Sequence, residues 1–235
     1  QEDVPEIESI VVDGGSTDET TAILDEYADQ IDTLISEPDK GTYDAMNKGI
    51  ERATGDIIGI LNSDDQYNGS NVLRTVLDRF ERTDADLCYG DLVYVDDNDD
   101  LVRYWKSGEY SPKRFYFGWM PPHPTVFVRR EVYDTHGTFD LDFPIAADYE
   151  FLLRVLLQNR LSTTYVDDTL VRMATGGQSN ASVCNIIKAN IEVYRAWRKH
   201  NLRGGIHIPV LKPLRKFPQY LRSNQSTPEG STISE

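Results

Sequence analysis

The chain has 235 residues, a formal net charge of −15 and a hydrophobic content of 39%. That size allows a single domain with a sizeable core. The negative charge disfavours nucleic acid as a partner, because phosphate contacts need a basic surface. The sequence shows neither an apolar run long enough for a membrane helix nor the pattern of a secretion signal. Its two cysteines have neither metal-binding nor disulfide spacing, so we expect a reducing, cytoplasmic location.

The charged residues are unevenly distributed. Aspartate outnumbers glutamate and arginine outnumbers lysine, a bias that favours solvation at high salt and hence a halophilic protein. The alternative is that net charge only keeps the chain soluble. From Val193 to Pro228 there are eight Lys or Arg residues and no acid. Residues 201–222 are predicted to form a basic arm that either packs on the acidic body or contacts an anionic membrane peripherally. Residues 223–235 are predicted to form a disordered tail.

Strands and helices alternate from Ile7 to Val95. Apolar runs predict strands at 7–12, 31–36, 56–61 and 86–95, and amphipathic stretches predict helices at 18–29, 43–53 and 70–82. Ser16 or Thr17 is the expected N-cap of the first helix. This alternation is typical of an α/β fold, with a Rossmann-like, mostly parallel sheet flanked by helices on both faces.

The second half of the chain is less regular. Strands are predicted at 101–105 and 125–129, a strand or a hairpin at 163–173, and helices at 148–158 and 183–200. The aromatic stretch Phe115 to Trp119 is expected to be an exposed loop. We expect residues 1–200 to form one domain, with a smaller mixed half at 101–200.

Two acidic turns follow predicted strands. Asp13 ends the first strand, and Asp64 and Asp65 end the strand that runs up to Asn62. Ligands of open α/β sheets bind just past the carboxyl ends of the strands. There Asp13 could accept hydrogen bonds from a nucleotide base or ribose, while Asp64 with Asn62 or Asp65 offers the oxygen ligands that Mg²⁺ and Mn²⁺ prefer. The alternatives are a plain strand-to-helix turn at Asp13 and solvated surface acids at Asp64.

Five strings, in order along the chain, resemble those of the family 2 glycosyltransferases, which are inverting enzymes of the glycosyltransferase A fold. They are Val11 to Asp18, Glu37 to Gly49, Gly59 to Asp65, His123 to Arg130 and Ala146 to Arg154. The resemblance implies a nucleotide-sugar half at 1–100 and an acceptor half at 101–200. It also implies that the chain begins after the family's first strand–helix unit, an arrangement expected to expose an apolar strand edge and part of the donor pocket.

The resemblance implies roles for individual residues. Asp13 matches the acid that binds the nucleotide base, and Asp64 matches the metal-binding aspartate. Asn62 stands where many relatives carry the first acid of an Asp-x-Asp motif, and Asp65 could compensate. Asp148 matches the general base that deprotonates the acceptor hydroxyl, the alternative being a helix N-terminal acid without a catalytic role. His123 matches a position that lines the cleft, the alternative being a neutral loop residue.

The expected activity is metal-dependent, inverting transfer from a nucleotide-sugar, with UDP-sugar favoured and Mn²⁺ or Mg²⁺ as cofactor. The expected acceptor is a glycan or a lipid-linked molecule in surface polysaccharide or glycoprotein synthesis. Residues 176–179 would form a flexible loop near the diphosphate or simply break a strand, and the aromatic loop would be an acceptor platform or an interface. A nucleotidyltransferase and a non-catalytic nucleotide-sugar-binding relative are the alternatives.

Overall fold

The computed structural model describes residues 1, 4, 6–175, 183–203 and 208. The loop predicted at 176–179, the tail predicted at 223–235 and nearly all of the basic arm predicted at 201–222 lie outside the described residues. Within the described part of the chain, no helix is long and apolar enough to cross a membrane.

The described strands and helices alternate along most of the chain. The strands are β1 (Ile10–Asp13), β2 (Thr33–Ser36), β3 (Ile57–Gly59), β4 (Asp65–Tyr67), β5 (Leu87–Val95), β6 (Leu101–Trp105), β7 (Phe127–Arg129) and β8 (Thr163–Ala174). The α-helices are α1 (Thr20–Glu26), α2 (Thr42–Arg52), α3 (Val72–Thr83), α4 (Pro112–Tyr116), α5 (Arg130–His136), α6 (Ala147–Leu152) and α7 (Val183–Lys199). Short 3-10 helices lie at Ala28–Gln30 and His123–Thr125, and a π-helical segment, Leu153–Gln158, continues α6.

The strands form two sheets. β1 pairs in parallel with β2, and the second sheet has the order β3-β7-β5-β8-β4, with β6 also paired to β5. In the second sheet β5 and β8 are parallel, whereas the other four described pairs are antiparallel. The α/β architecture is confirmed, but the pairing is more antiparallel than expected. The pairing of β5 with β6 has a local cause. Only residues 96–100 connect these two strands, and so short a connection permits only antiparallel pairing.

The long strand β5 divides the core into two apolar clusters. Leu87 and Tyr89 contribute to one cluster, and Cys88 and Leu92 contribute to the other, as expected for side chains that alternate across a strand. The first cluster contains the buried apolar residues of α5, α6, the π-helical segment and α7, and the second contains those of α3. The six-stranded sheet is therefore packed on both faces.

Two local predictions were wrong. Helix α1 begins at Thr20 with Glu19 as N-cap and without a side-chain cap, because the Ser16 hydroxyl instead donates to Asp13. The aromatic stretch is exposed only at Phe117, which is 60% exposed, whereas Phe115 is fully buried and Trp119 is 3% exposed. The Trp119 indole donates to the Ser107 carbonyl at 2.9 Å, so its polar edge is satisfied inside the protein.

Candidate active site

A cleft of about 2340 Å³ is lined by residues from both sheets. Ile10 and Val12 of β1 contribute to one wall, and Ile57 and Ile58 of β3 contribute to another. Among the described strands, β1 pairs only with β2 and β3 only with β7, so each has one edge without a strand partner. Five polar residues singled out below also line this cleft: Asp39, Asn62, Asp64, His123 and Asp148.

Asp13 fixes the turn after β1. Its carboxylate is 7% exposed and accepts hydrogen bonds from the Ser16 hydroxyl at 2.5 Å and the Ser36 hydroxyl at 2.7 Å. The backbone N–H groups of Gly15 and Ser16 also donate to it. The Ser16 hydroxyl, followed by that of Ser36, holds the pKa of Asp13 below its usual range. The structure thus shows a carboxylate that ties β1 to its turn and to β2, with Val12 beside it lining the cleft.

Asp39 is a cleft residue that the sequence did not single out. A Cβ atom on Gly14 would lie 2.4 Å from Asp39 Oδ2, so the missing side chain of Gly14 makes room for this carboxylate. The Gly41 N–H donates to Asp39 Oδ1 at 2.7 Å, which fixes the carboxylate at the start of α2. Asp39 lies two residues before Gly41, which precedes helix α2. This position is the sequence feature that could have identified Asp39 as a site residue. Asp39 is therefore a second candidate for contacts with a base or ribose.

The acidic turn after β3 carries two carboxylates in different environments. Asp64 is exposed and lines the cleft. Asp65 is 5% exposed, because it begins β4 and pairs with Met173 of β8. The Asn62 amide donates to Asp65 Oδ2 at 2.9 Å, whereas Asp65 Oδ1 is buried without a hydrogen-bond partner. Burial, opposed by Asn62 and reinforced by Asp64, raises the pKa of Asp65 to about 6.

Asp148 is held at the start of α6 by a phenol from α2. The Tyr43 hydroxyl donates to Asp148 Oδ1 at 3.1 Å and also contacts the Ile145 carbonyl at 3.2 Å. The Tyr149 N–H donates to the same carboxylate oxygen at 2.7 Å. Burial and the nearby Asp148 carboxylate raise the pKa of Tyr43, so its phenol stays protonated and acts as a donor. Tyr43 is a positioning residue to which the sequence reasoning assigned no role.

His123 lies near Asp148 on the cleft wall. Its ring packs edge-on against Phe139 with centroids 5.3 Å apart. Burial lowers the pKa of the His123 imidazole, and the Asp148 carboxylate opposes that shift. The imidazole is therefore neutral at physiological pH.

The backbone around Asp148 is tied to two helices. The Asn47 side chain of α2 exchanges two hydrogen bonds with the backbone of Phe139, at 2.8 and 2.9 Å. The Glu192 carboxylate of α7 accepts from the N–H groups of Ile145 and Ala146 at 2.9 and 2.8 Å. Lys48, on the same helix as Asn47, does not contribute to this anchoring and forms an ion pair with Glu37 at 2.9 Å. These bonds fix the segment that carries Asp148 from both sides.

The fold is that of the glycosyltransferase A class. The structure resembles that of S. aureus TarS 1–349 in complex with UDP, with a TM-score of 0.63 and 18% identity over 94% of this chain and 66% of that chain. It also resembles the mannosyltransferase PcManGT from Pyrobaculum calidifontis in complex with GDP-Man and Mn²⁺, with a TM-score of 0.59 and 15% identity over 94% of this chain and 67% of that chain. At these identities the likeness establishes the fold.

The sequence places the chain within a family. A model of glycosyl transferase family 2 matches residues 1–137. A PGL/p-HBAD biosynthesis glycosyltransferase of Mycobacterium bovis is 32% identical over 183 residues, covering 76% of this chain and 70% of that protein. An uncharacterized glycosyltransferase of Mycobacterium tuberculosis is 36% identical over 153 residues, covering 64% of this chain and 58% of that protein. The chain belongs to glycosyl transferase family 2, so the predicted family, fold class and enzyme class are confirmed.

Proposed function

We propose that the chain transfers a sugar from a nucleotide-sugar, with UDP-sugar as the favoured donor, to an acceptor hydroxyl with inversion of the anomeric carbon. The observation that carries this proposal is the Asp148 carboxylate, which lines the cleft and is oriented by Tyr43. The ligands bound in the structural neighbours, UDP, UDP-GlcNAc and GDP-Man, support a nucleotide-sugar donor.

Asp148 serves as the general base. Among the described residues, both hydrogen-bond donors to Asp148 contact Oδ1, which leaves Oδ2 for the acceptor hydroxyl. The acceptor oxygen attacks the anomeric carbon as the bond from that carbon to the diphosphate breaks. Its proton passes to Asp148. Because the attack is a single displacement from the opposite side, the configuration inverts.

The other polar cleft residues position the donor. Asp13 and Asp39 mark the base and ribose end of the cleft, where Asp13 keeps the turn in place and Asp39 lines the wall. His123, as a neutral imidazole, can donate to or accept from a sugar hydroxyl. We assign the proton acceptor to Asp148 instead, because burial lowers the pKa of the His123 imidazole and so makes it a weaker base.

A divalent metal, Mn²⁺ or Mg²⁺, fits the acidic turn. Asp64 lines the cleft, and Asp65 has a buried oxygen without a partner. No group of three or more acidic, His or Cys side chains in the described residues could hold a metal. The cleft-lining carboxylate of Asp64 suffices, however, because Mg²⁺ is usually held by one or two carboxylates together with substrate phosphates. When bound, the metal would neutralise negative charge on the leaving diphosphate.

The acceptor is proposed to be a glycan or a lipid-linked molecule in surface polysaccharide or glycoprotein synthesis. The proposed location is the cytoplasm, with peripheral contact at the inner face of the membrane. A halophilic setting stays a prediction based on the aspartate and arginine bias.

A transfer assay tests the proposed chemistry. The chain would be incubated with UDP-sugars and a set of alkyl glycosides, with UDP release measured and the product anomer read by NMR. We expect an inverted product and, for Asp148→Asn, a loss of turnover of about 10³-fold, the middle of the usual range for a general base. Asp134→Asn, an exposed acid on α5, is the matched control and should keep full turnover.

Four outcomes would count against the proposal. A retained anomer would exclude the single displacement, and an Asp148→Asn variant with most of its activity would exclude that residue as base. Nucleotide binding without UDP release from any donor would favour the non-catalytic relative. Release of pyrophosphate from a nucleoside triphosphate would favour the nucleotidyltransferase.

A further inference from the structure

The outer face of α7 carries an exposed apolar row. Ile187 and Ile191 are each 54% exposed and Tyr194 is 38% exposed. Their spacing of four and three residues aligns them along one side of the helix. The opposite side is core, because Val193 and Trp197 are 1% and 0% exposed. Isolated exposed apolar residues are common, but here three of them are aligned on one helix.

A basic row runs beside the apolar one. It consists of the exposed cations Lys188, Arg195 and Lys199, which are spaced seven and four residues apart on one side of α7. The exposed Arg198 lies at the end of the apolar row. Glu192, the one acid between Val183 and Lys199, is buried and accepts from the backbone near Asp148. The exposed charged side chains of α7 are therefore all positive, in a chain whose net charge is −15. Two acids, Asp140 and Asp142, lie beside the C-terminal end of this row.

The basic row borders a shallow pocket suited to an anionic headgroup. The pocket has a volume of about 440 Å³ and is lined by Asp142, Phe143, Arg195, Arg198 and Lys199. Arg195 and Lys199 lie over the Phe143 ring, 5.3 and 5.5 Å from its centroid, and Lys199 pairs with Asp140. Within the described part of the chain, Arg195 and Arg198 form no ion pair with an acid.

An anionic bilayer fits this face better than the chain's own basic segment. A helix face with an apolar row beside Lys and Arg is typical of interfacial helices, whose cations meet lipid phosphates as their apolar side chains enter the headgroup boundary. Residues 204–222 carry only basic charges, which do not complement the cations of α7. The one described residue of that segment, Ile208, is buried in the core cluster that contains Trp197. The position is also suitable, because Ala189 of α7 lines the cleft.

We propose that this outer face of α7 docks on an anionic membrane surface, with Ile187, Ile191 and Tyr194 at the headgroup boundary and the basic row on lipid phosphates. Docking places the cleft beside the bilayer, where a lipid-linked acceptor would be presented. The inference goes beyond the proposed transfer reaction, because membrane binding requires neither nucleotide nor turnover.

Vesicle flotation tests the docking surface. The chain would be mixed with phosphatidylcholine vesicles with and without phosphatidylglycerol, at the lowest salt concentration at which circular dichroism shows the folded helices. We expect flotation only with phosphatidylglycerol. Arg195→Gln and Arg198→Gln should each weaken vesicle affinity about fivefold, and Ile187→Ser with Ile191→Ser should weaken it at least about tenfold.

Matched variants elsewhere on the surface serve as controls. Ile23→Ser removes an isoleucine that is also 54% exposed, on α1, and Arg82→Gln removes an exposed cation on α3. Both should float like the parent chain. Circular dichroism and UDP binding, measured for every variant, separate a loss of docking from a loss of folding or of the nucleotide site.

Several results would overturn the proposal. Flotation that is absent, independent of phosphatidylglycerol, or unchanged in the α7 variants would do so. Flotation that instead depends on Lys212, Arg215 and Lys216 would assign the membrane contact to the basic arm. A sedimenting dimer that dissociates in Ile187→Ser with Ile191→Ser, without flotation of the parent, would assign the face to a second copy of the chain.

Discussion

The two-stranded sheet and the six-stranded sheet are stabilised by different kinds of contact. Helix α1, which follows β1, has no buried residue, and β2 alternates between half-buried and exposed positions. The first six residues of β5 are all buried. Polar contacts dominate near β1: Asp13 accepts from two serine hydroxyls, and Glu8 accepts from the backbone of Thr54 and Gly55. The six-stranded sheet is instead fixed by apolar packing on both faces.

This difference separates the two tasks of the proposed reaction. Asp148 lies on α6, whose other residues are buried, so the proposed general base is positioned before any ligand arrives. The part of the cleft near β1 has few buried apolar contacts and belongs to the low-stability end of the molecule. A ligand that binds the folded state there would stabilise it. In the proposed reaction, the acceptor side is therefore preorganised, and nucleotide binding would stabilise the donor side.

The largest expected change in stability comes from the buried acid of the six-stranded sheet. Asp91 is fully buried and accepts from the hydroxyls of Tyr104 and Tyr165 and from the Ser107 N–H. Asp91→Leu should lower the free energy of unfolding by about 3 kcal/mol, because it leaves buried donors without an acceptor. Urea unfolding measures this loss. Asp91→Asn, which keeps one carbonyl oxygen, should lose less, and an equal loss in both variants would contradict the assignment.

The next effect concerns Asp65 and depends on pH. Its folded pKa of about 6 lies above the ordinary value of 3.8, so burial of the ionised form costs stability above pH 6, and this cost disappears as the pH falls towards 4. Asp65→Asn should therefore raise the free energy of unfolding at pH 7.5 by on the order of 1–2 kcal/mol, after allowance for partial burial. Near pH 4 the gain should vanish.

Urea unfolding at both pH values measures the Asp65 effect. The exposed neighbour provides the control, since Asp64→Asn should change stability little at either pH. An equal gain for Asp65→Asn at both pH values would show that the carboxylate is not strained by burial.

The smallest effect tests how Asp148 is positioned. Tyr43→Phe removes the hydroxyl that donates to the carboxylate and should lower kcat about tenfold, with the KM for the donor unchanged, because the lost bond acts on the base. Steady-state kinetics with varied donor measures both constants. Tyr27→Phe, at a tyrosine that is 49% exposed, should have no effect. A rise in KM without a fall in kcat would place Tyr43 on the donor side instead.

Local sequence patterns predicted most of the elements. The bounds of α2, α3, β5 and α7 agree with their predicted ranges to within two residues, because each has a clear apolar period or a continuous apolar run. The strand β4 was missed because it has only three residues, two of them polar. The burial of Trp119 could not be predicted from local sequence, because it depends on tertiary contacts with Tyr89 and Tyr110.

Local sequence motifs also indicated part of the candidate site. Asp64, His123 and Asp148 line one cleft, as expected from the motif strings that contain them. The partners of these residues were not visible in the sequence, because Tyr43 lies 105 positions before Asp148 and no local pattern connects two such residues. Asp13 shows the same limit, since its contact with Ser36 depends on the pairing of β1 with β2.

The most direct test of the proposed donor site is calorimetric titration of UDP and of GDP into the chain with and without Mn²⁺. The proposal predicts that UDP binds more tightly than GDP and that Mn²⁺ strengthens UDP binding. Asp64→Ala should remove the effect of Mn²⁺. The control Asp97→Ala, which changes an exposed acid outside the cleft lining, should keep it. UDP binding that ignores both Mn²⁺ and Asp64→Ala, or a folded chain that binds neither nucleotide, would contradict it.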